Sequence, residues 1–132
     1  MRAWLAIAFA LALTLPATAA DREANRYPQP VRAGDLVGRK LIGPHESQPL
    51  LGHVEGVERR EGALALRIRT WSVLPWARRT VEVPLGTVAL LGEHIALLDL
   101  TPAQLDGLPE APPPAPVAAG EQVRIGLTRP FH

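Results

Sequence analysis

The stretch Leu64-Ala65-Leu66-Arg67-Ile68-Arg69 places a large apolar side chain at every second position. Successive side chains of a β-strand point to opposite faces, so this alternation predicts a strand with one apolar and one polar face. The turn Arg60-Glu61-Gly62 leads into it, and the segment before the turn, Gly52 to Arg59, carries Val54 and Val57 on a similar pattern. This part of the chain therefore predicts two strands joined by a tight turn.

The same signals continue downstream. The segment Val81-Glu82-Val83 alternates again, and two short apolar runs, Val88–Leu91 and Ile95–Leu98, are separated by Gly92-Glu93-His94. A spacing of this length fits a tight β-hairpin. Several short strands, closely spaced turns and few aromatic residues predict a mainly β domain, either a small barrel or a sandwich.

One helix is also predicted. The segment Thr101-Pro102-Ala103-Gln104 supplies an N-cap threonine, a proline at the first helical position and a capping-box glutamine three residues after the cap. Leu105 and Leu108 would then face the sheet, and Pro109 would end the turn. We expect a short C-terminal helix that covers an open end of the barrel.

The N-terminus has the pattern of a secretory signal peptide. Arg2 precedes an apolar run from Trp4 to Leu15, and the small residues Ala17-Thr18-Ala19-Ala20 suit cleavage either before or after Ala20. The alternative is a retained membrane anchor, but the apolar run is too short for a bilayer core of about 30 Å. We therefore expect residues 1–20 to be removed on export, which makes the protein periplasmic or secreted.

Charge and cysteine content exclude several classes of function. Without Arg2, thirteen Lys and Arg residues balance thirteen Asp and Glu residues, whereas a nucleic-acid-binding protein generally carries a basic excess. The chain contains no cysteine, which excludes disulfides, thiol catalysis, zinc–cysteine sites and a lipid anchor at a cleavage-site cysteine. We expect no nucleic-acid partner and, after cleavage, no segment that spans a membrane.

The rest of the chain divides by composition. Residues 21–35 form a polar, proline-containing lead-in that we expect to be extended, and residues 36–109 hold nearly all the apolar periodicity. Residues 110–120 are rich in proline and favour a semi-rigid spacer, with a recognition peptide as the alternative. Residues 121–132 form a tail with one possible short strand. That strand either stands away from the barrel or folds back onto one of its edges.

Four stretches of residues 36–109 resemble a known family. They are Leu36-Val37-Gly38-Arg39-Lys40-Leu41, Leu51-Gly52-His53-Val54-Glu55-Gly56-Val57, Val81-Glu82-Val83-Pro84-Leu85, and Leu97-Leu98-Asp99-Leu100-Thr101-Pro102-Ala103-Gln104-Leu105. In order and spacing they resemble the PRC-barrel domain of the photosynthetic reaction centre H subunit and of a ribosome maturation factor. The last stretch is similar to the close of exported bacterial members of that family.

The resemblance implies a small PRC-type β-barrel of about five to six strands, with one short C-terminal helix and a Pro-rich tail. It implies a module for binding or assembly and does not imply an enzyme. We expect the protein to be non-enzymatic and to carry no cofactor. Two loops depart from the family pattern, Pro44 to Pro49 and Thr70 to Arg79. Functions carried by these loops are therefore not transferred from the family.

The second of these loops carries the candidate binding residues Trp71, Trp76, Arg78 and Arg79. Trp and Arg are over-represented at binding hot spots because they bury a large area and keep a polar group, so the loop is a candidate surface for an envelope protein or a small ligand. A structural role is favoured, however. A small domain without cysteine needs aromatic burial, and one or both tryptophans would then pack over the barrel mouth.

Catalysis and metal binding are disfavoured. His45, Glu46 and Ser47 contain the residue types of a hydrolase triad, but they are consecutive, whereas triad members converge from separate parts of a fold. A small envelope hydrolase using this loop remains the alternative function. The histidines show no His-x-His or His-x-x-x-His spacing that would start a metal site; they are His45, His53, His94 and His132.

Overall fold

The structure is a computed structural model that describes residues 28–43 and 47–128, and this part of the chain is mainly β. Its strands and α-helices are β1 (Gln29–Arg32), α1 (Ala33–Leu36), β2 (Lys40–Ile42), β3 (Leu50–Arg60), β4 (Ala63–Thr70), β5 (Thr80–Pro84), β6 (Val88–Leu91), β7 (His94–Leu97), α2 (Pro102–Asp106) and β8 (Gln122–Leu127). Single 3-10 turns occupy Pro75–Ala77 and Leu85–Thr87. The predicted signal peptide, residues 1–20, lies outside the described residues.

Two hairpins form where the sequence predicts them. Arg60 pairs with Ala63, so Glu61 and Gly62 alone make the turn, with φ of 52° and 82°. Two-residue turns with positive φ at both central positions match the right-handed twist of the flanking strands, and glycine adopts this region without strain. The β6–β7 hairpin also closes over two residues, Gly92 and Glu93, with positive φ at Gly92. The strand pattern and both tight turns are therefore confirmed.

The strands form one open sheet, not the predicted closed barrel. Their order among the described residues is β1-β8-β6-β7-β2-β3-β4-β5, which is eight strands instead of five to six. Closure would require an edge of β6 to meet β5, but β6 pairs with β7 on one side and with β8, in parallel, on the other. Because β8 occupies that edge, the sheet ends at β1 and at β5.

The sheet nevertheless curves around a single main core. The large side chains of Leu66 and Ile68 on β4 are fully buried, as are those of Leu97 on β7 and Ile125 on β8. These residues belong to one cluster that draws on β2 to β8 and both helices. One face of the sheet therefore wraps around the core, and the opposite face of β2, β3 and β4 is left to polar side chains.

Helix α2 is capped as predicted. The Thr101 hydroxyl accepts a hydrogen bond from the Gln104 backbone N–H at 3.0 Å, and the Gln104 side chain accepts one from the Thr101 backbone N–H at 2.8 Å. This reciprocal capping box satisfies two donors at the start of the helix. Leu105 is buried in the core, so the helix does pack against the sheet.

The Pro-rich segment runs along the sheet as an extended strap, which we define as residues 110–120. The Ala111 N–H donates to the Thr80 carbonyl at 2.8 Å, and the Val117 N–H donates to the Val57 carbonyl at 3.0 Å. The Arg59 N–H in turn donates to the Ala115 carbonyl at 3.0 Å. Proline lacks an N–H, so the two strap donors in these bonds are the non-proline residues Ala111 and Val117.

The strap occupies an edge that would otherwise be unpaired. Strand β2 pairs only with the first part of β3, from Leu50 to His53, and the strap lies beside the later part, from Val57 to Arg59. Beyond the strap, β8 pairs with both β1 and β6. Of the two possibilities left open for the C-terminal tail, the structure therefore adopts folding back onto the sheet.

In the part of the chain that the structure describes, no helix is long and apolar enough to cross a membrane.

Candidate functional site

Three basic side chains stand in one row across the outer face of the sheet. In the strand register, Lys40 on β2 is the partner of His53 on β3, and His53 is the partner of Arg69 on β4. The row sets two permanent cations, Lys40 and Arg69, on either side of His53. Positive side chains gathered on one face attract an anion, either from the protein or from a bound group.

Among the described residues, the Glu55 carboxylate is linked to this row through Thr80. The Arg69 Nη1 donates to the Thr80 hydroxyl at 3.3 Å, and that hydroxyl donates to the Glu55 carboxylate at 3.2 Å. Arg69 therefore reaches Glu55 through Thr80 and not by a direct ion pair. Within residues 28–43 and 47–128, Lys40 makes no ion pair, and its side chain is exposed. The row keeps a positive excess.

The loop between β4 and β5 forms the second wall of the site. Its base is closed by a 2.7 Å hydrogen bond from the Thr70 N–H to the Arg79 carbonyl. The Arg78 guanidinium carbon lies 4.2 Å from the centroid of the Trp71 ring, and Arg78 Nε donates to the Ser72 carbonyl at 3.0 Å. A cation stacked on an aromatic face at this distance is attracted by the ring quadrupole. The loop therefore presents an ordered aromatic–cation pair towards the basic row.

Between the row and the loop lies a cleft of about 650 Å³, which we name the Trp71 cleft. Its lining residues are Gly38, Lys40, Leu50, Gly52, His53, Glu55, Arg69, Thr70, Trp71, Pro75 and Arg78. Three permanent cations thus face a single carboxylate, and apolar surface from Trp71, Pro75 and Leu50 adjoins them. This volume lies in the range of small-molecule sites, and the lining combines an apolar wall with polar and charged side chains.

The two predicted tryptophans are not buried in the core. The exposed fraction of Trp71 is 46% and that of Trp76 is 81%, so the expectation that one or both pack over the barrel mouth is wrong. The reason is that aliphatic residues fill the core without them. Trp71 lines the cleft, whereas Trp76 stands outside it at the end of the loop.

The two consecutive arginines have different surroundings. Arg78 lines the cleft, but Arg79 turns to helix α2, where its Nη1 donates to the Asp106 carbonyl at 2.7 Å and its Nη2 donates to the Leu108 carbonyl. Arg79 Nε also lies 3.7 Å from the Glu110 carboxylate. Cations favour the C-terminal end of a helix, where carbonyl groups lack partners. The structure thus gives Arg79 a role in holding α2, apart from the cleft.

The other candidates are only partly described. His45 and Glu46 of the alternative hydrolase loop lie outside the described residues, as does His132, while Ser47 is exposed. Among the described residues there is no group of three or more His, Cys, Asp or Glu side chains that could hold a metal ion.

The basic row formed by Lys40, His53 and Arg69 is not predicted from the sequence. The alternation of β4 marks Arg69 as outward-facing, and the same pattern puts His53 on the outer face of β3 because its neighbour Val54 is buried. What the sequence does not carry is the register that brings Lys40 beside His53 and His53 beside Arg69. A local pattern assigns a face to each residue but not its partner on the next strand.

Comparison with protein-family models gives no match to this chain, and no curated protein matches it. The fold and the geometry of the Trp71 cleft are therefore the basis for a functional conclusion.

Proposed function

We propose that this protein is a non-enzymatic binding module of the bacterial cell envelope that binds a small anionic ligand in the Trp71 cleft. The observation that carries the proposal is the row of Lys40, His53 and Arg69 across three strands, which meets one carboxylate, Glu55. An anion placed over the row would accept charge-assisted hydrogen bonds from Lys40 and Arg69.

The second wall defines the rest of the ligand. Trp71 and Pro75 offer apolar surface, and Arg78 is held over the Trp71 ring with part of its hydrogen-bonding capacity directed to Ser72. A planar or aliphatic group would pack against this wall while its phosphate or carboxylate lies on the row. The ligand class is therefore an anion with an apolar part, smaller than the 650 Å³ of the cleft.

The proposal includes the family and the compartment. The four stretches that resemble the PRC-barrel domain support a PRC-type module, and the mainly β fold is compatible with it. The apolar N-terminal run and its small-residue end support export to the periplasm or beyond. Export is tested by fractionating an expressing bacterium and reading the N-terminus of the protein in the periplasmic extract. A mature chain that starts at residue 20 or 21 is expected, and a chain that starts at Met1 in the cytosol would contradict export.

Ligand binding is tested with phenyl phosphate, inorganic phosphate and benzyl alcohol as probes. Phenyl phosphate should bind most tightly because it engages both the row and the Trp71 wall, and benzyl alcohol should bind most weakly. Titration followed by indole and arginine Nε–H chemical shifts would place the probe. The Arg69→Gln and Lys40→Gln variants should each weaken phenyl phosphate binding by about tenfold, the usual loss for a charge-assisted contact.

Arg124→Gln serves as the matched control, because Arg124 is an exposed arginine on β8, outside the cleft lining, whose Nη2 donates to the Pro28 carbonyl at 3.2 Å. It should leave phenyl phosphate affinity unchanged. Equal affinity in Arg69→Gln, Lys40→Gln and Arg124→Gln, or no binding of either phosphate, would contradict the proposed site.

A further inference from the structure

The end of the β4–β5 loop exposes three apolar side chains, which we name the apolar tip: Val73, Leu74 and Trp76. Their exposed fractions are 80%, 46% and 81%. Exposed Val or Leu residues are ordinary when single, but adjacent large apolar side chains on one loop mark an interaction site. None of the three belongs to either of the core clusters found among the described residues.

The backbone holds the tip in this position. The Leu74 N–H donates to the Ser72 hydroxyl at 3.2 Å, and the Ala77 N–H donates to the Leu74 carbonyl at 3.0 Å. Pro75 begins the 3-10 turn, with its φ fixed by the ring and no N–H to satisfy. The loop is thus held by its own backbone hydrogen bonds and by Pro75. Its three apolar side chains stay exposed and are available for an external contact.

The charges beside the tip are positive. Arg78 comes two residues after Trp76 in the chain, and it lines the Trp71 cleft together with Lys40, Arg69 and Pro75, the residue between Leu74 and Trp76. The one carboxylate of the cleft, Glu55, accepts a hydrogen bond from Thr80. Exposed Trp next to Lys and Arg is the pattern by which proteins lie on anionic bilayers. The aromatic ring enters the interfacial region, and the cations meet lipid phosphates.

We propose that the apolar tip docks onto the surface of an anionic phospholipid bilayer, with Trp76 and Val73 in the interfacial layer and Arg78 and Lys40 against lipid phosphates. The cationic half of this contact rests on the anion-binding function proposed for the Trp71 cleft. A bilayer is a better fit than a protein partner because three side chains cover only a few hundred Å². A stable protein interface usually needs about 800 Å² on each partner.

The test uses protein purified from the periplasmic extract of an expressing bacterium, and all variants carry the same N-terminus. Co-sedimentation is measured with phosphatidylcholine vesicles and with vesicles in which phosphatidylglycerol is mixed into phosphatidylcholine. The protein should bind the anionic vesicles at least tenfold more tightly. Raising the salt concentration should weaken that binding, because exposed charges are screened beyond about 10 Å at 0.1 M salt.

Variants separate the tip from the rest of the surface. Trp76→Ala and Val73→Ser should each reduce binding to anionic vesicles by about tenfold. Lys40→Gln should reduce it by about fivefold, the loss expected for one cation near an anionic surface. Leu127→Ala is the matched control, since Leu127 is 39% exposed on β8, outside the tip, and should bind like the parent. Thermal unfolding curves of all four variants show whether each is folded.

The outcomes distinguish this inference from the proposed function. Phenyl phosphate binding without vesicle binding would overturn docking and leave the anion site in place. Vesicle binding that depends on Trp76, in a protein that binds no phenyl phosphate, would support docking by the tip and contradict the anion site. Vesicle binding that is the same in Trp76→Ala and in the parent would overturn docking. Retention of an envelope protein that requires Trp76, without vesicle binding, would assign the tip to a protein partner instead.

Discussion

The Glu58 carboxylate, 1% exposed, accepts a hydrogen bond from the backbone N–H of Ala115, fifty-seven residues later in the chain. Its other oxygen lies 3.4 Å from Arg67 Nη1, and that same nitrogen donates to the Pro112 carbonyl at 2.9 Å. Both oxygens of a buried anion are therefore used, one on the strap and one on a cation that also binds the strap. Glu58 is thus a buried side-chain link between the Pro-rich segment and β3, in addition to the backbone hydrogen bonds at Val57 and Arg59.

Removal of Glu58 should therefore destabilise the whole domain. Glu58→Ala leaves Arg67 without its buried anionic partner and Ala115 without its acceptor, and we expect a loss of about 3 kcal/mol in the free energy of unfolding. Glu58→Gln keeps an acceptor for the Ala115 N–H, so its free energy of unfolding should fall by less. The measurement is urea unfolding, with Glu93→Gln as control because the Glu93 side chain is 87% exposed. A Glu58→Ala midpoint equal to that of Glu93→Gln would show that the strap does not depend on this contact.

The C-terminal strand should behave as part of the core. Ile125 on β8 is fully buried in the main cluster, while Leu127, two residues later, is partly exposed. Ile125→Ala removes buried methyl groups and leaves a cavity, so it should cost about 3 kcal/mol. Leu127→Ala should change stability by about 0.5 kcal/mol or less. Equal unfolding midpoints for the two variants would mean that β8 is not packed on the sheet.

Substitutions of the neighbouring arginines Arg78 and Arg79 should have different effects, one on ligand binding and the other on stability. Arg79→Gln loses hydrogen bonds to the Asp106 and Leu108 carbonyls and should cost about 1 kcal/mol, with unchanged affinity for phenyl phosphate. Arg78→Gln should weaken phenyl phosphate binding and leave the free energy of unfolding unchanged, because Arg78 lines the Trp71 cleft. Thermal unfolding and phenyl phosphate titration on both proteins check this. If Arg79→Gln weakens phenyl phosphate binding as much as Arg78→Gln does, the separate roles given to the two arginines are wrong.

Two glycines of β3 should respond differently to the same substitution. A Cβ added at Gly52 would lie 2.4 Å from the Arg69 carbonyl oxygen, whereas a Cβ at Gly56 meets nothing within 4 Å. Gly52→Ala must displace the backbone of β4 beside the cleft, and we expect a cost of about 2 kcal/mol together with weaker phenyl phosphate binding. Gly56→Ala should be neutral within about 0.5 kcal/mol. Urea unfolding of the pair measures the difference, and similar costs would contradict the close approach at Gly52.

Part of the site could be predicted because its signal is local. Trp71 and Arg78 stand out by residue type in the loop between β4 and β5, and both line the cleft. Arg79 carries the same signal, but its partner is the end of α2, almost thirty residues away. Its role could not be separated from that of Arg78 without the packing of the helix. Lys40 and His53 carry no local signal at all, since a single exposed basic residue on a strand is ordinary.

The sequence by itself determined the elements whose causes lie within a few residues. These are the alternating strand Leu64 to Arg69, the two-residue turn at Glu61 and Gly62, and the capping box between Thr101 and Gln104. Only the tertiary structure decided that the sheet stays open, that the strap docks through Glu58, and that the basic row lies over one cleft. Each of these outcomes depends on strand register or on a free strand edge. Contacts between residues far apart in the chain set both, and no periodicity of nearby residues encodes such contacts.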